Sequence, residues 1–126
     1  MQKLTPLVFI FLLLTTSTFA SETGRQQDLP QIPVDGLVTM LDLGARKCIP
    51  CKMMAPILKE LKKEYRGKAA IVFIDVWQHQ EEVQKYRIRA IPTQIFFDKN
   101  GREVLRHVGF MDKKSIVDVL EKLVVD

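Results

Sequence analysis

The sequence predicts an α/β domain: a central mixed β-sheet flanked by helices. Three observations carry this. Short apolar, β-branched runs alternate with amphipathic stretches of helical period. An Asn100-Gly101 pair separates two apolar runs in the manner of a β-hairpin. The hydrophobic content of 47% and charged content of 27% are those of a chain that packs a core. A length of 126 residues fits one domain plus a short extension.

The first segment, "MQKLTPLVFIFLLLTTSTFA", has a basic start at Lys3, an apolar run from Leu7 to Leu14 and small residues up to Ala20. That is the layout of a secretory signal over 1–20, with Thr18 and Ala20 at the positions before a cut. An uncleaved membrane anchor is the other reading, because Leu4 to Ala20 carries no charge. In either case the domain is expected to be exported, to the periplasm or outside the cell. Residues 21–36, "SETGRQQDLPQIPVDG", are polar and hold two Pro and two Gly, the composition of a flexible leader. The domain proper is then 37–126.

Within it, "LVTMLDL" (37–43) reads as a buried strand interrupted by Asp42. Met54, Ile57, Leu58, Leu61 and Tyr65 form one face of a following helix, with Lys59, Glu60, Lys62, Lys63 and Glu64 opposite. Pro56 lies inside that pattern and should kink the helix, which Gly67 ends. "AAIVFIDV" (69–76) is apolar throughout, as in a strand buried on both faces. "QHQEEVQKYRI" gives a short helix with Val83 and Tyr86 inward. "AIPTQIFFD" and "EVLRHVGF" form a hairpin around Asn100-Gly101. Asp112 caps a last helix whose stripe is Ile116, Val119, Leu120 and Leu123. The two strands joined by the first helix should be parallel, through a right-handed crossover.

Charge excludes one class of function. The formal net charge is +4, from 19 basic and 15 acidic residues that are interspersed. No Lys/Arg run carries interleaved aromatics, so no nucleic-acid partner is expected.

Both cysteines fall in "GARKCIPCKMMAP". A C-x-x-C pair admits a redox switch, a metal clip or a structural disulfide. The loop it closes is too short to constrain the unfolded chain much, which weighs against a staple. Cys48 falls at the start of the helix, where the macrodipole and free N–H groups stabilise a thiolate, and Lys47 adds a neighbouring positive charge. Pro50 suits a first helical turn. Cys51, one turn in, should be more sheltered. The pair thus reads as an attacking and a resolving thiol.

At these residues the chain resembles the thioredoxin family. The likeness spans roughly 37–124 and rests on C-I-P-C, "KMMAPILKEL" with Pro56, "AIPT", the "FFDKNG" hairpin and "VGF". It implies a thioredoxin fold, shortened at the N-terminus because the family's early helix has no counterpart. It implies catalytic roles for Cys48, Cys51, Asp42 and Pro92. Asp42, six residues before Cys48, matches the buried acid that exchanges protons with the sheltered thiol. Burial would raise its pKa, as a general base requires; a strand-end Asp in a turn is the plainer alternative. Ile91-Pro92 matches the cis-proline segment that pairs with substrate backbone. Ile91, Thr93, Lys47, Ile49 and Pro50 are the expected substrate-binding residues. Lys47 and Ile49 depart from the family's usual Trp and Gly.

The implied activity is thiol–disulfide exchange with protein disulfides, more in the reducing direction. A membrane thiol transporter or another thiol reductant would supply electrons, and a monomer is expected. A disulfide oxidant or isomerase is the alternative, as is a copper-binding module using the cysteines with Met53 or Met54. No cofactor beyond the Cys48-Cys51 disulfide is expected. His79 and His107 fit no common zinc spacing, and Lys52 stands where haem attachment needs His. Trp77, just past a strand, reads as a packed residue, with a place bordering the active-site surface as the alternative.

Overall fold

The computed structural model describes residues 29–125. The expected signal (1–20) and the first half of the leader (21–28) lie outside the described residues. The elements run β1 (Val38–Gly44), α1 (Ile49–Glu64), β2 (Ala69–Asp75), α2 (Gln80–Lys85), β3 (Thr93–Phe97), β4 (Glu103–Val108) and α3 (Lys113–Val125). They form a four-stranded sheet in the order β2-β1-β3-β4. β1 and β2 are parallel, and the other pairs are antiparallel.

Strand alternation sorts the core into two halves. On one face Val38 and Met40 of β1, Ile71 of β2 and Phe96 of β3 pack with Met54, Leu58 and Leu61 of α1 and with Ile116 and Leu120 of α3. On the other, Leu41, Leu43, Ile74, Ile95 and Phe97 pack with Tyr86 at the end of α2. Leu61 is wholly buried, so its truncation to Ala should cost about 2–5 kcal/mol.

α1 buries Cys51, Met54, Leu58 and Leu61, a spacing that keeps one face inward. The helix continues through Pro56, and Lys62 and Lys63 fall in its last turn, where they complement the dipole. α3 starts as expected: Ser115 N–H and Oγ both donate to the Asp112 carboxylate, at 3.0 and 2.7 Å. No helix among the described residues is long and apolar enough to cross a membrane.

Three sequence expectations need correction. β2 is not buried on both faces. It is an edge strand, and Ala70, Val72 and Phe73 are half-buried. The strands buried along their whole length are β1, despite Asp42, and β3, because these two are the central strands of the sheet. Trp77 is not packed either; it is 55% exposed. The described part of the leader (29–36) is held against the domain. Leu29 and Ile32 pack on the second core half, and Val34 N–H donates to Thr39 Oγ1 at 3.0 Å. The Pro and Gly content concealed two apolar anchors.

Candidate active site

β1 delivers the cysteines. Its last residue, Gly44, leads into a turn in which Cys48 N–H donates to Ala45 O at 3.1 Å. The buried Asp75 at the end of β2 pins this turn by accepting from Arg46 N–H (3.1 Å) and Trp77 N–H (3.0 Å). Cys48 is the N-cap of α1, with extended backbone, and its Sγ accepts from Cys51 N–H at 3.4 Å. Cys48 and Cys51 are joined as a disulfide, with their Cα atoms 5.2 Å apart. Cys48 is half-buried, whereas Cys51 is 4% exposed. A thiolate on Cys48 would therefore meet the free N–H groups of a 16-residue helix and remain open to attack partners.

Around the pair, Lys47 and Ile49 are exposed and Pro50 occupies the first turn of α1. Met53 is 54% exposed, but Met54 belongs to the core, where its Sδ accepts from Met111 N–H at 3.4 Å. Met54 is thus committed to packing and is not a free soft ligand beside the thiols. His79 and His107 are each half-buried on separate elements. Among the described residues no group of three or more His, Cys, Asp or Glu converges as a metal site.

Asp42 is fully buried on the same sheet face as α1. The reading of it as an exposed turn residue is excluded. Gln94, directly across on β3, donates from Nε2 to Asp42 Oδ1 at 2.9 Å. Loss of water raises the Asp42 pKa to about 6, against the lowering effect of the Gln94 hydrogen bond. Gly44 lies two residues further along this face, about 6.7 Å for two strand steps. A Cβ on Gly44 would come within 3.1 Å of the Cys51 sulfur. Cys51 therefore rests on Gly44, with the acid as its neighbour on the strand. The buried carboxylate and the sheltered sulfur therefore share one face of the sheet, two strand positions apart.

The Ile91-Pro92 bond is cis. The register Leu43↔Thr93 puts Pro92 one step further, level with Gly44, the residue on which Cys51 rests. Pro92 O accepts from Gly109 N–H at 2.8 Å, tying the "AIPT" and "VGF" segments together. Thr93 is placed differently from a substrate contact: it is buried, and its hydroxyl donates to Ala90 O at 2.7 Å. Its side chain braces the loop. Ile91 is half-buried and lines a cleft of about 500 Å³ with Trp77, Val83 and Ile88.

The thioredoxin family model matches residues 27–122. The chain belongs to the thioredoxin family. A thioredoxin of Staphylococcus aureus is 43% identical over 89 residues, covering 71% of this chain and 85% of that protein. Among solved structures, a chloroplastic thioredoxin z is similar with a TM-score of 0.66 at 25% identity, over 72% of this chain and 81% of that one. Fasciola hepatica thioredoxin gives 0.63 at 29% identity, over 71% and 83%. Membership and the Cys48-Cys51 pair make this thioredoxin-family domain a thiol–disulfide oxidoreductase that acts on disulfide-containing proteins.

Sequence reasoning missed three residues of this site. Gln94 stood in an apolar run, and only the alternation of "TQIFF" could have flagged a polar side chain aimed at the core. Gly44 carried no signal in the sequence, although it is the seat of Cys51. Asp75 closed an apolar strand and gave no signal of its role in holding the Arg46 turn.

Proposed function

We propose that this domain works as an exported protein-disulfide reductase. In the proposed cycle the Cys48 thiolate attacks a substrate disulfide, releasing one substrate thiolate and leaving a mixed disulfide. Cys51 then loses its proton to Asp42 and attacks the Cys48 sulfur. The second substrate thiolate leaves and takes up a proton. Two electrons pass to the substrate, and Cys48-Cys51 is left oxidised. A thiol donor, such as a membrane thiol transporter, restores the dithiol. The domain acts as a monomer.

The observation that carries this reading is the division of labour at α1: an accessible sulfur at the helix start and a buried one beside an acid whose pKa is about 6. An acid titrating there is mostly ionised at neutral pH and close enough in pKa to accept a proton efficiently. The reducing direction is supported by Pro50, which resembles the reducing members of the family. Lys47 opposes it by favouring the reduced form, but it is exposed, so solvent and salt weaken its pull. Export is supported by the signal-like pattern of residues 1–20.

Two measurements test the proposal. Insulin reduction with dithiothreitol as electron source should be accelerated by the wild type. The redox potential of the pair should lie near about −270 mV, as for thioredoxin; a value near about −120 mV would make the protein an oxidant. A stoichiometric Cu(I) complex with no insulin reduction would favour the binding-module alternative.

A further inference from the structure

We propose that Gln94 is a positioning residue for the resolving half of the exchange: it holds one oxygen of Asp42 and leaves the other to take the Cys51 proton. The inference rests on the oxidoreductase reading above.

Gln94 and Asp42 are direct cross-strand partners, both with no exposed surface. An ionised carboxylate only accepts, so the Gln94 amide must present its NH₂ group, and it does so to Oδ1 at 2.9 Å. Asp42 Oδ2 and Gln94 Oε1 are buried with no hydrogen-bond partner among the described residues. This is an expensive arrangement for a structural pair. The neighbouring core positions on the same face are Met40 and Phe96, and a Leu in place of Gln94 would bury no unpaired carbonyl. The arrangement is understandable if Oδ2 is the working atom. A proton arriving there from Cys51 neutralises the carboxylate without breaking the Oδ1 bond, so the acid does not have to turn between its two states.

The same bond sets when Asp42 can act. Burial alone would push the carboxyl further up, and Gln94 draws it back to about 6. Without Gln94 the acid would keep its proton to higher pH and be a poorer acceptor for another. Few other groups can exert this control. The face is covered by Cys51, Met54 and Leu58 of α1 and by Ile116 and Leu120 of α3. Phe73 lies across from Asp42 on β2. His107 lies across from Gln94 on β4, with Nε2 at 3.1 Å from Phe110 O. Apart from Cys51, His107 is therefore the titratable side chain of this row, and it is two strands from Asp42.

The test is the pH profile of insulin turnover with dithiothreitol, beside a single-turnover measurement of mixed-disulfide formation by Cys48. Gln94→Leu should move the acid limb of turnover upward by about one pH unit, the scale of one hydrogen bond to an ionised group. Mixed-disulfide formation should keep its wild-type profile. In Asp42→Asn, adding Gln94→Leu should cause no further shift. His107→Gln should leave the limb in place. A limb that follows His107→Gln and ignores Gln94→Leu overturns the proposal. So does a Gln94→Leu protein with the wild-type profile, provided the wild type reduces insulin; an inactive wild type would instead refute the functional reading. If Gln94→Leu does not fold, the wild type decides by NMR. The Gln94 side-chain amide resonances should titrate with the Asp42 carboxyl, and amide resonances that stay fixed through that midpoint overturn the assignment.

Discussion

The two cysteines lie three residues apart, yet their surroundings are opposite. Cys48 sits at the mouth of α1, half-buried, among the exposed side chains of Lys47 and Ile49. Cys51 is buried over Gly44, on the sheet face that also carries the buried Asp42 and Gln94. The first sulfur is activated by backbone: N–H groups and a dipole that any sequence folding into this helix would supply. The second depends on side chains brought from β1 and β3. In the proposed cycle the helix start makes the nucleophile, while the sheet beneath supplies the base that lets its partner follow.

The largest expected effect separates the two sulfurs. Cys48→Ser should abolish insulin turnover. Cys51→Ser should keep the first attack and accumulate a mixed disulfide, visible by mass spectrometry as a substrate adduct on Cys48. An adduct formed equally well by Cys48→Ser would erase the distinction between them.

The next effect concerns stability on the buried side. The Asp42 pKa rises from 3.8 to about 6 on folding, so between these values the native state binds more protons than the unfolded chain. Stability contributed at this site is greatest below pH 4 and declines as pH rises to 6. Asp42→Asn should therefore stabilise the oxidised protein by about 2 kcal/mol at pH 7 and much less at pH 3, measured by urea unfolding at both. Equal changes at the two pH values would mean that the carboxyl is not held in its burial-raised state.

A smaller effect is expected at the seat of Cys51. In Gly44→Ala the new Cβ would lie 3.1 Å from the sulfur and 3.3 Å from the Phe73 ring. The expected cost is about 1–2 kcal/mol in urea unfolding, together with slower release of the mixed disulfide. The smallest effect belongs to the open side. Lys47→Glu should raise the pH midpoint of Cys48 alkylation by less than about half a unit, and the change should shrink in 1 M salt. A large, salt-resistant shift would give Lys47 more influence than the helix start.

How much of this was readable beforehand differs by region. The helix stripes, the hairpin turn and the Asp112 cap follow local rules, so each appeared where the residues placed it. The apolar strand at 69–76 misled, because a run of Ala, Ile and Val marks a strand without saying whether it is central. Its edge position is decided by which strands pair. Trp77 misled for a related reason. A large aromatic after a strand is ordinarily core, but the turn anchored by Asp75 leaves this one outward.

The sequence by itself determined the dithiol, its place at a helix start and the order of the elements. Those depend on spacing and on near neighbours along the chain. Only the tertiary structure decided that Asp42 meets Gln94, 52 positions away, that Cys51 rests on Gly44, and that Pro92 stands level with Gly44. The reason is physical: the chemistry of the second sulfur depends on burial and cross-strand register, and neither exists until the strands have paired.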